Sequence, residues 1–465
     1  MTIPAILRPL PLLMLLAGCA VGPDYVRPDA SVPEQFREQT MAGKNWQSAR
    51  PADDLARGSW WQAFGDAELD AHLARVDLGN QNIRLAEAQY RAALAQSASA
   101  RAGLFPTVKA DASGSRGQSG STKTTTNSYA ADLTASWELD LWGRVRRASE
   151  AAQASAQASA GDLESARLSA RALFAQNYFA LRIADQQLKL YTQTVAAYQK
   201  ALELTRNRLA SGVATRADVA QAETQLASAK AQVVELELSR TQLEHALAIQ
   251  LGRAPADFTL APTNALATPP AIPEVLPAEL LQRRPDIAAA ERRVAAANAE
   301  IGVAQAAWYP TLSLAASGGY HSSSFADWFS LPNRIWSLGP ELAATLFDGG
   351  ARSAAKAQAQ ANWEATVASY RQAVLSAFGE VEDDLAALRQ LDQEERLQRE
   401  ALAGARESLA IVTNQYRAGT ATYLSVVQSQ VTALASERSV IELQGRRLAA
   451  SVALIKASGG GWQQK

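Results

Sequence analysis

The sequence LKLYTQTVAAYQKALELTRNRLASGVATRADVAQAETQLASAKAQVVEL, residues 188–236, predicts two long helices joined by a tight turn. In each arm, apolar or small residues recur at alternating spacings of three and four. The first arm has Leu188, Tyr191, Val195, Tyr198, Leu202, Thr205 and Leu209, and the second has Val219, Ala222, Leu226, Ala229, Val233 and Leu236. Such seven-residue repeats predict left-handed coiling between neighbouring helices. Gly212 lies in the turn, where glycine permits the positive φ that ends a helix.

The same plan occurs again just over 200 residues later. The matching pairs are 82–87 with 286–291, 105–107 with 309–311, and 211–215 with 418–422, which places Gly419 in a second turn. Each half should therefore contain helix, strand, turn, strand, long helix, tight turn and helix. In the first half we expect helices at about 66–103, 146–209 and 215–251.

Between its first two helices, each half contains residues that predict a β-hairpin, at about 107–141 and about 311–347. We expect residues 114–127 to form the loop of the first hairpin, and His321 to lie in a solvent-facing loop of the second. The strands approach the length that crosses an outer membrane. Aromatic residues at the strand ends are then candidates for the membrane interface: Trp137, Trp142, Trp308, Tyr309 and Trp336. Two hairpins packed in a soluble domain are the alternative.

Residues 1–19, MTIPAILRPLPLLMLLAGC, predict a targeting segment. An apolar run too short to span a bilayer follows Arg8, and the segment ends in Leu16-Ala17-Gly18-Cys19, which resembles a bacterial lipobox. We expect residues 1–18 to be a lipoprotein signal peptide and Cys19 to carry a covalent lipid, which anchors the chain stably. An ordinary signal peptide is the alternative. Because Ala20 follows rather than Asp, we expect the outer membrane as the destination.

Composition argues against several other classes of protein. The chain has 465 residues, with 45 Lys plus Arg against 46 Asp plus Glu, so a nucleic-acid partner is not expected. One Cys and three dispersed His residues predict no metal site. There is no phosphate-binding loop, and an SxxK match at Ser353–Lys356 lacks companion motifs. We expect no enzyme, no catalytic residue, and no cofactor besides the lipid on Cys19.

The expected fold class is mainly α with a small β part, in two tandem repeats. We expect residues 19–65 to form an extended lipidated segment, 66–252 the first repeat, 253–285 a proline-rich connector, 286–457 the second repeat and 458–465 a tail. Glu380, Glu382, Asp383 and Asp384 form an acidic run on the long second-half helix. That run is either a solvated helix face or a cation-binding patch in a tunnel.

Three local motifs, 21–25 (VGPDY), 60–66 (WWQAFGD) and 283–287 (RRPDI), complete a resemblance over essentially the whole chain. The chain resembles the outer membrane factors, the TolC-like ducts of tripartite efflux systems, and in particular their lipidated OprM/CusC/NodT branch. The resemblance implies a homotrimer, with a twelve-stranded outer-membrane β-barrel on an α-helical barrel that forms a periplasmic tunnel. It also implies a periplasmic adaptor (membrane fusion protein) docking at Gly212 and Gly419, and an inner-membrane RND-type transporter.

The resemblance also implies a periplasmic gate at the hairpin tips. Asp218 and Tyr416 match positions of the family's closing contacts, and Arg417 lies beside them. Ser425 and Gln428 stand where acids are found in other members, so a ring of carboxylates that traps cations is missing there. The alternative for Asp218 is a solvent-facing residue in the first turn of a helix, favoured by the helix dipole.

Two other functions stay open at this point. The chain could be a lipid-anchored periplasmic coiled-coil adaptor or a structural envelope protein, both without a pore. An adaptor has one helical hairpin, whereas this chain has two, which favours the duct. The residues leave drugs, dyes, aromatic acids and metal ions open as cargo.

Overall fold

The computed structural model describes residues 20–30, 36–37, 59–118, 120–121, 123–263, 267–270 and 283–460. The described chain divides into two compact units. One contains 20–30, 88–118, 120–121, 123–161 and 287–373, and the other contains 36–37, 59–87, 162–263, 267–270, 283–286 and 374–460. No helix among the described residues is long and apolar enough to cross a membrane. Cys19 lies outside the described residues.

The predicted order of elements is confirmed in the second repeat, and in the first repeat apart from the division of its first helix. The first repeat contains α1 (Ala67–Gly79), α2 (Gln81–Ala102), β1 (Thr107–Gln118), β2 (Thr125–Leu139), α3 (Arg144–Ala210) and α4 (Arg216–Gln250). The second contains α5 (Pro285–Ala306), β3 (Thr311–Ser322), β4 (Arg334–Ala343), α6 (Ala351–Arg417) and α7 (Tyr423–Ala457). The long helices α3 and α6 have 67 residues each, and the helices that follow them, α4 and α7, have 35 each. The two repeats therefore match in the lengths of these helices.

The expectation of one unbroken helix over 66–103 is wrong, because Asn80 separates α1 from α2. The Asn80 side-chain oxygen accepts hydrogen bonds from the backbone N–H groups of Asn82 and Ile83, at 3.0 and 3.3 Å. It therefore caps α2 as an N-cap residue. The Asn80 amide nitrogen donates to the Gln250 carbonyl at 3.0 Å, which ties the break to the end of α4.

The break also brings two backbones into close contact. A Cβ added at Gly79 would lie 2.0 Å from the Leu251 carbonyl oxygen, and one at Gly252 would lie 2.0 Å from the Gly79 carbonyl oxygen. The second repeat has the equivalent tie, because Arg284 donates to the Ala457 carbonyl at 3.1 Å. The core of the second of the two compact units includes buried Trp60, Phe64 and Phe179.

The strands form one antiparallel sheet in the order β1-β2-β3-β4. The predicted loop over 114–127 is largely strand, because the register pairs Gly114 with Tyr129 and Gln118 with Thr125. His321 likewise lies in β3, opposite Ala130. Serine, threonine and glycine are typical of loops, but here a neighbouring strand satisfies their backbone groups.

Candidate functional site

The sheet has two chemically different faces. The register places mostly polar residues on one face, among them Lys109, Asp111, Asp132, Thr134, Glu138, Ser317, His321, Ser337 and Glu341. A hydrogen bond of 2.8 Å between the Ser317 and Ser337 hydroxyls joins two residues of this polar face. The other face carries Val108, Ala110, Ala112, Ala131, Leu133, Ala135, Trp137, Leu312, Leu314, Ala316, Trp336, Leu338 and Leu342.

The apolar face is open to its surroundings in the single chain. Leu133, Leu342 and Trp336 are 59%, 69% and 72% exposed. Exposed apolar surface on this scale marks an interaction site, with lipid or with protein. Alternation between one apolar and one polar face is the pattern of strands that separate lipid from an aqueous lumen.

Most of the predicted interface aromatics lie where the strands join the helices. The Trp137 indole N–H donates to the Leu104 carbonyl at 3.0 Å. The Trp142 indole N–H donates to the Pro310 carbonyl at 2.7 Å, and its ring stacks on Tyr309 with centroids 4.8 Å apart. Trp308 contacts the Arg352 guanidinium, 5.1 Å from the ring centroid. Indoles with one polar partner and one apolar side suit a membrane interface.

Trp336 differs, since it pairs with Gly318 in the half of the sheet nearer the hairpin turns. At that end five aromatic rings contact one another: Tyr129, Tyr320, Phe325, Trp328 and Phe329. Aromatic residues thus lie at both ends of the strands, as in the girdles of outer-membrane proteins. Tyr129, Tyr320 and Phe325 were not identified from the sequence as aromatic residues at the strand ends.

The hairpin tips repeat one local structure. Gly212 and Gly419 have φ of +72° and +80°. Thr215 and Thr422 then cap α4 and α7, accepting hydrogen bonds from the backbone N–H groups of Asp218 and Ser425. The Asp218 carboxylate accepts hydrogen bonds from the Thr215 backbone N–H and hydroxyl, both at 2.8 Å. Asp218 is therefore engaged in a capping box within its own helix, and its role in a gate stays a prediction.

Tyr416 is buried in a hairpin-tip cluster that joins the two hairpins. The cluster comprises Leu202, Val219, Ala222, Tyr416, Tyr423, Val426 and Val427. The Arg208 guanidinium lies 4.3 Å from the centroid of the Tyr416 ring and donates to the Tyr416 carbonyl at 3.0 Å. The Tyr416 hydroxyl has no hydrogen-bond partner among the described residues. The ring and the carbonyl, rather than the hydroxyl, hold this contact.

The other predicted gate residues are not members of this buried cluster. Arg417 and Gln428 are exposed, and Ser425 is half-buried. Arg208 was missed by the sequence analysis. The sequence feature that could have pointed to Arg208 is its place as a cation in the last turn of a long helix. The C-terminal end of the helix dipole favours positive charge there.

The carboxylates of the acidic run on α6 have different surroundings. Glu380 accepts a hydrogen bond of 2.7 Å from Arg284, and Glu382 accepts one of 2.7 Å from the backbone N–H of Arg37. Burial raises the pKa of the Asp384 carboxyl to about 6, and repulsion from neighbouring carboxylates adds to the effect. Within the described part of the chain, no group of three or more His, Cys, Asp or Glu residues is placed to hold a metal ion.

Duplicated helical hairpins, together with a sheet that has one apolar and one polar face, define a protein of the outer-membrane channel class. The model of the family described as "Outer membrane efflux protein" matches residues 74–253 and 276–460, and the chain belongs to this family. It is accordingly an outer-membrane efflux protein, as the resemblance implied.

Named relatives and a solved structure agree with this membership. The pyoverdine export outer membrane protein OpmQ of Pseudomonas aeruginosa is 34% identical over 463 residues, covering 97% of this chain and 95% of OpmQ. The toluene efflux pump outer membrane protein TtgC of Pseudomonas putida is 33% identical over 465 residues, covering 97% and 94%. The structure of the outer-membrane channel OprN matches with a TM-score of 0.85 and 30% identity, covering 96% of this chain and 100% of OprN.

Proposed function

We propose that three copies of this chain form the passive outer-membrane duct of a tripartite efflux system. One observation carries the proposal: in the described chain, β1 and β4 each pair with a single strand, so both outer edges of a sheet with an exposed apolar face are open. Unpaired backbone groups in hydrocarbon cost several kcal/mol each, so such a sheet is stable in a bilayer only when its edges are joined. Three four-stranded sheets joined edge to edge make a barrel of twelve strands.

In this assembly the polar face lines the lumen and the apolar face contacts lipid. The hairpin tips form the periplasmic gate, with Asp218, Tyr416, Arg417, Ser425 and Gln428 around its closed end. A periplasmic adaptor docks at the turns that contain Gly212 and Gly419, and an inner-membrane RND-type transporter supplies the energy. The duct itself catalyses no reaction.

Lipidation of Cys19 completes the proposal. Acyl chains on this residue fix the start of the mature chain in the outer membrane, at about 0.8 kcal/mol for each buried CH₂ group. The cargo is small molecules. The names of the relatives record pyoverdine in one case and toluene in another, which supports a duct whose partners select the cargo.

The mass of the detergent-extracted mature protein tests the proposal. Light scattering with detergent subtracted should give three chains, and Cys19→Ser should give the same result, because strand pairing rather than the lipid closes the barrel. A monomer or dimer would leave the sheet edges open. It would favour the pore-free adaptor or envelope protein instead.

A further inference from the structure

The apolar face of the sheet contains a groove of about 780 Å³. Small residues at neighbouring positions of three strands leave room for it: Ala110, Ala112, Ala131 and Gly318. Larger side chains border it: Leu133, Tyr320, Trp336 and, from the connection between β3 and β4, Phe329. Trp336 and Phe329 are exposed, so the groove opens to whatever surrounds the sheet. It also reaches Arg334, the first residue of β4.

Four residues of the polar face also border the groove: Asp111, Asp132, Gly319 and Ile335. Successive side chains of a strand point to opposite faces of a sheet, so these four residues contribute backbone to the groove rather than side chains. The Asp132 carboxylate accordingly lies 2.9 Å from Nε2 of His321, another residue of the polar face. Among the side chains that face the groove, only Arg334 carries a charge.

The charged residues on the apolar face of the four strands are two arginines. Arg334 lies opposite Tyr320, and Arg116 on β1 lies opposite Asn127. Both arginines are exposed and lie near the strand ends that adjoin the hairpin turns. Neither guanidinium has an ion pair or a hydrogen bond with a residue that the structure describes. The carboxylates of the strands all lie on the polar face: Asp111, Asp132, Glu138 and Glu341.

This end of the apolar face is therefore positively charged. The two connections between the strands contain one cation and one anion, Lys123 and Asp327, which balance each other. The five aromatic rings that contact one another lie at the same end, and aromatic residues of membrane proteins lie at the depth of the lipid headgroups. In the proposed assembly the two guanidinium groups are then at headgroup depth, beside a groove that extends toward the hydrocarbon.

The charge and shape of this region fit a phosphorylated lipid. A guanidinium group donates two parallel hydrogen bonds to two oxygens of one phosphate. When the barrel closes, β4 of one copy joins β1 of the next copy, so Arg334 and Arg116 lie at the same seam and at the same end of their strands. Each seam then presents two cations beside an apolar groove.

We infer that each seam binds a lipid with two phosphate groups, which contact Arg334 and Arg116 while an acyl chain occupies the groove. The inference rests on the proposed function, because only the closed barrel brings the two arginines to one seam. A headgroup with a single phosphate satisfies one guanidinium and leaves the other unpaired, so the lipid carries two. It belongs to the leaflet that surrounds the hairpin turns. By bridging two copies it stabilises the trimer.

Native mass spectrometry of the detergent-solubilised trimer with added lipid tests the inference. The probes are lipid A with two phosphates and phosphatidylglycerol with one. The wild-type trimer should bind lipid A about tenfold more tightly than phosphatidylglycerol, because the second phosphate adds charge-assisted hydrogen bonds. Arg116→Gln and Arg334→Gln should each weaken the binding of lipid A by about tenfold. Lipid A should also raise the temperature at which the wild-type trimer dissociates, and raise it less in both variants.

Lys109→Gln is the matched control. It removes a cation from the polar face of β1, the strand that carries Arg116 on its apolar face, and should leave the binding of lipid A unchanged. If Arg334→Gln does not assemble, Arg334→Lys takes its place and should still weaken binding, because lysine keeps the charge but lacks the fork.

Two results overturn the inference while the trimer stays intact. One is equal affinity of the wild-type trimer for lipid A and phosphatidylglycerol, and the other is unchanged binding of lipid A in the arginine variants. Light scattering that shows two trimers joined together would assign the apolar face to a second copy and overturns it as well. A wild-type protein that is not a trimer contradicts the proposed function instead, so the two failures are distinguishable.

Discussion

Arg208 connects the ends of the two long helices at the tips. Its cation–π contact and its hydrogen bond to a carbonyl are each worth about 1–2 kcal/mol. Arg208→Ala should therefore loosen the closed end and raise single-channel conductance. Arg206→Ala is the control, because its pair with Glu223, at 2.7 Å, is exposed and worth about 0–1 kcal/mol. Equal conductance in the two variants would show that Arg208 does not hold the gate.

Asp384 predicts a specific pH dependence of stability. Its folded-state pKa of about 6 lies above the ordinary value of 3.8, so the folded chain holds this proton more tightly. The associated stability is present below about pH 4 and is lost as the pH rises through about 6. Asp384→Asn should raise the free energy of unfolding at pH 8 by about 1 kcal/mol after allowance for solvent screening, and with it the thermal midpoint, and should change little at pH 4. Glu407→Gln, an exposed change on the same helix, should shift neither midpoint.

At the scale of elements, two glycines of the second hairpin should respond oppositely to the same substitution. An added Cβ meets no atom within 4 Å at either Gly404, inside α6, or Gly419, in the turn. Only the backbone differs, because Gly419 has a φ of +80°. Gly404→Ala should stabilise by about 0.5–1 kcal/mol, and Gly419→Ala should destabilise by about 1 kcal/mol. Urea unfolding of both variants measures this, and a shift in the same direction would contradict it.

The long helices could be predicted closely, because the expected 146–209 corresponds to Arg144–Ala210. A repeat sustained over many turns is a strong local signal. The break at Asn80 was missed because its partner, the Gln250 carbonyl, lies 170 residues away. For a similar reason, the strands were predicted to end several residues too early on the side of the hairpin turns. Composition describes one strand at a time, whereas β2 gains its stability from β1 and β3 on both sides.

At the scale of the whole molecule, local sequence patterns predict some features of the candidate site. Contacts between residues that are distant in the sequence do not follow from any local pattern. The capping box of Asp218 follows from the local spacing Thr215-x-x-Asp218. The contact between Arg208 and Tyr416 joins residues 208 positions apart, one in each repeat, so no local pattern predicts it. The polar and apolar faces likewise became visible only when the register aligned four strands from both repeats.

The orientation of the whole chain in the envelope can be tested at one residue. The two connections that end the strands, 119–124 and 323–333, contain a single Lys or Arg, which is Lys123. Lys123 is exposed, with a φ of +57°. In the proposed assembly this connection lies outside the cell, whereas the helices lie behind the outer membrane. Trypsin added to intact cells should therefore cut once, after Lys123.

Lys123→Gln is the control and should make the chain resistant in intact cells, while both forms are degraded once the outer membrane is permeabilised. The expected fragments meet at residues 123 and 124, which mass spectrometry identifies directly. A pore-free adaptor or envelope protein would keep this connection in the periplasm, and trypsin outside the cell would leave it intact. Because paired strands resist proteases better than a connection does, Arg116 in β1 and Arg334 in β4 should survive in both forms. Cleavage at those arginines instead would mean that the strands are not paired within a membrane.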